Sequence, residues 1–134
     1  MAALEEEMTI LLDSTVLIDV LRRRPSGVAL MDRLLREGHS LATAAINVAE
    51  IYGGMKPHEA DRVETLFNNM DVYETTFAIA RRAGMLVNGI ARKGRTHTVA
   101  DMIVAATALE YGFTIATDNR KDFENTGASL LPLQ

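Results

Sequence analysis

Cysteine and tryptophan are absent from the 134 residues, and proline occurs only three times. Without cysteine the chain can form neither a disulfide nor a thiolate metal site. This permits a cytoplasmic location without requiring one. No apolar run approaches the ~20 residues of a membrane-spanning helix, and the acidic stretch 5–7 does not resemble the basic start of a signal peptide. The sequence therefore gives no indication of a membrane partner.

An excess of positive charge is also lacking. Eighteen acidic residues outnumber fourteen lysines and arginines, and the net charge is −4. Such a chain has no general attraction for nucleic acid, so any nucleic-acid binding must rest on local basic clusters. The hydrophobic fraction of 48% is enough for a globular core. We expect one domain over residues 1–134, with residues 1–8 as a frayed extension.

Strand and helix patterns alternate along the chain. The apolar run Ile10–Leu12 fits a strand buried on both faces, and a helix follows Asp13. Further strands are predicted at 40–43, 71–74, 113–117 and 129–133, and helices at 26–37, 45–52, from 57, at 76–93 and at 99–111. This alternation predicts an α/β fold, a three-layer α/β/α sandwich around a mainly parallel sheet.

Three acidic residues have apolar or tightly packed neighbours. Asp13 directly follows the first strand, and Glu50 and Asp101 each interrupt an apolar helical segment. A carboxylate in such surroundings is costly unless it is paired, hydrogen bonded or bound to a cation. A hard divalent cation relieves the repulsion between several carboxylates. Because cysteine and a histidine pair at ligand spacing are both missing, the pattern favours Mg²⁺ or Mn²⁺ over Zn²⁺.

Each acid also has a purely structural interpretation. Asp13 could be only a helix N-cap, and Thr98 with Asp101 could form a capping box. Glu50 could lie on a solvated helix face. These interpretations are less attractive together, because they require separate explanations for acids near three successive elements.

A fourth polar position follows the strand at 113–117. Asp118 or Asn119 could face the same sheet edge as Asp13, although an Asx turn would also explain the pair. Basic residues lie on both sides and could contact phosphates; they are Arg92, Lys93, Arg95, Arg120 and Lys121. A position at the C-terminus of a helix would equally explain Arg92 and Lys93. His97 is interpreted by default as a surface residue of the loop before Asp101.

Four segments together resemble the PIN-domain ribonucleases, most closely the VapC-type toxins of toxin–antitoxin pairs. They occur in the family's order, at 12–19, 47–51, 101–109 and 116–123. The resemblance implies a parallel sheet between helices and a Mg²⁺- or Mn²⁺-dependent endoribonuclease. It further implies a homodimer whose site is blocked by the tail of a cognate antitoxin protein.

The resemblance also implies roles for individual residues. The metal-binding acids match Asp13, Glu50 and Asp101, and two supporting hydroxyls match Thr15 and Thr117. Many family members carry a fourth acid where Asn119 stands, and others have asparagine there, so one or two metal ions are both compatible with this sequence. The candidate catalytic residues are Asp13, Glu50, Asp101, Asp118 and Asn119.

Other functions fit the sequence less well. A haloacid-dehalogenase-like phosphatase needs a second aspartate two residues after the first, where Thr15 stands. A receiver domain needs an acidic pair and a lysine at strand ends. A housekeeping PIN nuclease in RNA processing and a non-catalytic PIN-like module that binds RNA or a partner remain alternatives. Metal-dependent cleavage would exclude the last of these.

Overall fold

The computed structural model describes residues 7–92 and 97–132, without the side chains of positions 91 and 92. Within these residues one sheet of parallel strands has the order β3-β2-β1-β4-β5. The strands are β1 Thr9–Leu12, β2 Ser40–Ala44, β3 Asp71–Tyr73, β4 Thr114–Ala116 and β5 Ser129–Leu130. Each predicted strand is present, although β5 is shorter than predicted.

Helices connect the strands, as a parallel sheet requires. They are α1 Ser14–Leu21, α2 Pro25–Arg36, α3 Ala45–Gly54, α4 Ala60–Asn68, α5 Phe77–Arg92 and α6 Val99–Tyr111. The helix predicted from Pro57 begins as a 3₁₀ turn, Pro57–Glu59, before α4. In the described part of the chain no helix is long and apolar enough to cross a membrane.

Strand β1 lies at the centre of the sheet and is covered on both faces. Ile10 and Leu12 pack with α1, α2, α3 and α4 on one face. Leu11 packs on the other face with α6, which α5 covers from outside. All three side chains have no exposed surface. The predicted three-layer α/β/α sandwich around a parallel sheet is therefore confirmed.

Two features of the structure add to these expectations. Phe77, an apolar residue at the start of α5, is 84% exposed, because α5 packs on α6 through a stripe that includes Ile79, Ala83 and Ile90. Met8 was assigned to the frayed extension, but its N–H donates to His39 and its carbonyl accepts from the N–H of Ser40. Residues 1–6 lie outside the described part.

Candidate active site

Asp13 lies at the carboxyl end of the central strand, where ligands bind in open parallel sheets. It is the N-cap of α1, because its Oδ1 accepts from the N–H groups of Thr15 and Val16 at 3.0 and 3.4 Å. The side chain is only 5% exposed. Burial raises its pKa, although hydrogen bonds to Thr117, Thr15 and Val16 oppose the shift. The capping interpretation is thus correct, but it leaves a buried carboxylate at the edge where ligands bind.

Two threonine hydroxyls connect Asp13 to the segment after β4. Thr15 Oγ1 donates to Asp13 Oδ1 at 2.6 Å and accepts the N–H of Asp118 at 3.0 Å. Thr117 Oγ1 donates to Asp13 Oδ2 and accepts the N–H of Asn119 at 3.0 Å. Each hydroxyl therefore orients the carboxylate and fixes the backbone of the neighbouring loop. Because Oδ1 accepts three bonds and Oδ2 only one from the described residues, Oδ2 retains capacity for a ligand.

Glu50 is held by a polar network that begins in the core. Ser14 Oγ donates to Glu50 Oε1 at 2.7 Å, and Asn47 Nδ2 donates to both Ser14 Oγ and Glu50 Oε1 at 3.1 and 3.3 Å. Asn47 Oδ1 accepts from Thr43 Oγ1 at 3.1 Å and from the N–H of Ala44 at 3.3 Å. Asn47 is 1% exposed, whereas Glu50 is exposed. The buried amide thus orients an accessible carboxylate on α3, the helix that follows β2.

Asp101 lies in the first turn of α6. Its N–H donates to Thr98 Oγ1 at 3.1 Å, so Thr98 caps the helix, as in the structural interpretation of this residue. Its pKa is raised, mainly by burial and further by the negative charges of Asp122, Asp13 and Glu50. Asp101 is therefore within electrostatic reach of both Asp13 and Glu50. That the three acids share one metal site stays a prediction.

The two residues of the fourth position have different surroundings. Asp118 shares a hydrogen bond with Asp19. This bond is the largest cause of two opposite shifts, since the pKa of Asp118 is raised to about 6 and the pKa of Asp19 is lowered. Arg24 Nη1 lies 2.7 Å from Asp19 Oδ1 and keeps that carboxylate charged. The hydrogen bond to Asp19 therefore holds the side chain of Asp118 beside the connection between α1 and α2. Asn119 is exposed and uses its backbone N–H to bind Thr117.

The residues predicted to contact phosphates differ in their surroundings. Arg120 Nη1 donates to the carbonyl of Leu131 at 2.6 Å, so this guanidinium is partly engaged in holding β5. Lys121 is exposed. His97 Nδ1 lies 3.7 Å from Asp122 Oδ1, and its side chain is 11% exposed, so it is not the freely exposed loop residue that was expected. The side chain of Arg92, and Lys93 and Arg95, lie outside the described residues.

The donor set suits a hard divalent cation, but its oxygens are not gathered around one point. Across residues 7–92 and 97–132, no three carboxylate or imidazole groups are arranged as a metal cage. The chemistry nevertheless fits, since Asp13, Glu50 and Asp101 offer oxygen ligands whose mutual repulsion a cation would offset. An open site with few protein ligands is typical of Mg²⁺, which usually retains several waters and binds substrate phosphates.

Sequence reasoning did not assign roles to Ser14, Thr43 and Asn47. Their signal was present, because Asn47 stands one helical turn before Glu50, where side chains meet, and is polar in an apolar segment. The contact between Asp19 and Asp118 was not detectable, since it joins residues 99 positions apart through the pairing of β1 with β4.

The fold and the acidic edge define a parallel α/β protein with a candidate carboxylate metal site. A model of the PIN domain family matches residues 10–128, and the chain belongs to that family. It is 37% identical over 112 residues to ribonuclease VapC10 of Mycobacterium tuberculosis, covering 82% of each chain. It is 27% identical over 122 residues to the tRNA(fMet)-specific endonuclease VapC of Shigella flexneri, covering 87% of this chain and 91% of the relative.

Solved structures agree on the fold. DNA-bound VapBC from Salmonella typhimurium superimposes with a TM-score of 0.80 over 93% of this chain and 97% of the other, at 22% identity. The resemblance inferred from the four sequence segments is therefore confirmed at the level of the family and the fold.

Proposed function

We propose that this protein is a Mg²⁺- or Mn²⁺-dependent endoribonuclease and the toxin of a toxin–antitoxin pair. The observation that carries the proposal is the match of residues 10–128 to the PIN domain family. It is supported by the charges of Asp13 and Glu50, which both raise the pKa of Asp101. The names of the relatives support it, since one is a ribonuclease and another a tRNA-specific endonuclease.

Two of the acids are held in place by hydrogen bonds. Asp13, with Thr15 and Thr117 holding its carboxylate, presents Oδ2, and Glu50 is presented by Asn47 and Ser14. When bound, the cation would activate a water for attack on phosphorus and neutralise charge on the phosphate oxygens. The protein residues orient the ligands, and the hydrogen bonds from Thr117, Thr15 and Val16 oppose the rise that burial causes in the pKa of Asp13.

Cleavage of total RNA, with and without chelator, tests this function. We expect cleavage in Mg²⁺ or Mn²⁺, none with chelator, and none by Asp101→Asn. The matched control is Asp32→Asn, which removes the same charge from an exposed position on α2. Full activity of folded Asp101→Asn would reject the shared site, and wild-type cleavage unaffected by chelator would reject the metal mechanism.

An antitoxin partner is part of the proposal. The Salmonella neighbour is a VapBC complex bound to DNA, and another similar structure is described as a toxin–antitoxin complex from Klebsiella pneumoniae. Co-expression with a small protein encoded beside the gene should suppress cleavage and yield a complex that copurifies. A housekeeping nuclease in a cytoplasmic RNA-processing pathway is the alternative, and its gene would have no such neighbour.

We also propose a homodimer. The apolar side chains of segment 55–70 pack on the core, with Val63 fully buried, and so offer little contact surface. Phe77 and Met85, 84% and 59% exposed on α5, offer apolar area instead. Light scattering should give twice the monomer mass for wild type and a lower mass for Phe77→Ser. A monomeric wild type at high concentration would reject the dimer.

A further inference from the structure

The connection between α1 and α2 consists of three consecutive arginines, Arg22, Arg23 and Arg24, which we call the arginine turn. All three residues are exposed. The whole chain has a net charge of −4, so this run of positive charge is a local exception. Like charges repel one another at such short range, and a polyanion is the class of ligand that relieves the repulsion.

The ion pairs of the arginine turn leave much of its charge accessible. Arg24 Nη1 lies 2.7 Å from Asp19 Oδ1, but the Arg24 side chain is still 52% exposed. Arg22 Nε lies 3.9 Å from Glu59 Oε2, which is longer than a hydrogen bond, and its side chain is 42% exposed. Arg23 takes part in no ion pair with any residue that the structure describes. Because a guanidinium has five N–H donors, the turn can bind further anions.

Arg23 occupies a backbone position that usually belongs to glycine. At the end of α1 its N–H donates to the carbonyl of Val20 at 3.0 Å, and the N–H of Arg24 donates to the carbonyl of Asp19 at 2.9 Å. Its φ is +54°, and no other non-glycine residue in the described part of the chain has a positive φ. Helices often end with glycine in this conformation, because a side chain is strained there. The dipole of α1 favours basic residues near its end, but it does not require one at this position.

The arginine turn lies beside the candidate active site in two directions. Arg22 and Glu50 line the same small cleft between α1 and α3. On the other side, Arg24 contacts Asp19, which is hydrogen bonded to Asp118 in the loop after β4. The two threonine hydroxyls that orient the central carboxylate fix the backbone of this same loop. The positive surface of the turn therefore adjoins the acidic edge of the sheet.

We propose that the arginine turn binds backbone phosphates of the RNA strand on one side of the cleaved bond, with Arg23 as its open contact. This inference rests on the proposed nuclease function. The planar guanidinium offers paired donors that match phosphate oxygens. An acidic edge repels RNA, and an adjoining positive surface offsets that repulsion. Because phosphate contacts position a strand without reading its bases, the turn would hold RNAs of different sequence against the site.

The salt dependence of RNA binding tests the proposal. A short labelled single-stranded RNA that spans a mapped cleavage site would be titrated by fluorescence anisotropy into Asp101→Asn protein, which should not cleave it. Each phosphate contact with a single strand adds about 0.7 to the slope of log Kd against log salt concentration. In this background Arg23→Gln should lower the slope by about 0.7. Its loss of affinity should then grow about fivefold for each tenfold fall in salt concentration.

Three further variants separate charge from backbone strain. Arg23→Lys keeps the charge and should keep the slope. Arg23→Gly removes both the charge and the strained side chain, so it should bind RNA like Arg23→Gln yet melt roughly 3 °C above the parent protein. Arg36→Gln is the matched control, because it removes the same charge from an exposed position at the other end of α2, and it should leave the slope unchanged. Thermal unfolding checks that each variant is folded.

The outcomes separate this inference from the proposed function. If wild type cleaves no RNA, the nuclease function fails and the inference fails with it. If wild type cleaves but Arg23→Gln keeps the affinity and slope of Arg36→Gln, only the inference fails. A stabilised Arg23→Gly protein that binds RNA as tightly as its parent would mean that the turn only ends α1. If the Arg23 variants leave RNA binding unchanged but weaken an inhibitory protein partner, the turn is a protein site and the proposal is overturned.

Discussion

Asn47 offers the sharpest test of how the site is held. Its amide accepts from Thr43 Oγ1 and the N–H of Ala44 and donates to Ser14 Oγ and Glu50 Oε1. It therefore joins the end of β2 to a surface carboxylate. Asn47→Leu preserves much of the volume but removes all four contacts, and it should reduce both stability and activity.

The expected loss of stability follows from burial. Ala44 has no exposed surface, so its N–H would lose its partner without gaining water, which costs about 1–3 kcal/mol. The other hydrogen bonds add roughly 0.5–1.5 kcal/mol each where water cannot replace them. We expect the free energy of unfolding to fall by about 2–4 kcal/mol, and the melting temperature by roughly 10 °C in a domain of this size.

Urea unfolding and cleavage assays measure the two effects. The stability loss should appear as a lower midpoint with an unchanged slope. Because Glu50 loses the groups that orient it, half-maximal cleavage should need about 10–100 times more Mg²⁺, as is usual when a partner of a metal ligand is removed. Asn88→Leu, on the exposed side of α5, is the matched control and should stay within about 0.5 kcal/mol of wild type.

Two results would refute this reasoning. An Asn47→Leu protein as stable as Asn88→Leu would mean that the amide does not satisfy buried groups. A destabilised protein with wild-type dependence on Mg²⁺ would mean that Asn47 supports the fold alone and does not orient Glu50.

Three further predictions concern the acids and the fourth position. Asp13→Asn should be inactive. In chelator at about pH 7 it should nevertheless melt at a higher temperature than wild type, because burial raises the pKa of Asp13 and the charge of this side chain opposes folding. An unchanged or lower melting temperature would contradict this. Wild type should lose stability as the pH rises from about 4 through about 6, where Asp118 ionises beside Asp19, and Asp118→Asn should lose less over this range in thermal unfolding. Asn119→Asp should bind Mn²⁺ more tightly in calorimetry, since a carboxylate is the stronger ligand, and equal affinity would show that residue 119 does not reach the cation.

The sequence predicted the sheet and the acidic edge because their signals are local. An apolar run ending at Asp13 identifies both a buried strand and a carboxylate at its carboxyl end. Helix α6 was predicted with its observed bounds, since Thr98 caps it and Gly112 adopts the left-handed conformation that ends it. Such features depend on residues within one or two turns of each other.

The remaining features depend on contacts between distant segments. The exposure of Phe77 is decided by which side of α5 meets α6, and apolar side chains near its start did not reveal this. A cavity that Arg33 and Leu131 help to line forms where α2 meets the ends of β4 and β5. The periodicity of a single segment does not predict a cavity that forms between two elements.

The strand order has a consequence for the order of synthesis. Strand β1 is made before the other strands of the sheet, but β4, one of its two neighbours, is made only after β2 and β3, and the bond from Thr117 to Asp13 spans 104 residues. Until β4 has left the ribosome, one edge of β1 has no partner, and unpaired edges invite wrong pairing and aggregation. The acidic edge is likewise incomplete during that time. The central strand of a nascent chain therefore has an open edge until β4 has been made, and the site is complete only after Thr117 has reached Asp13.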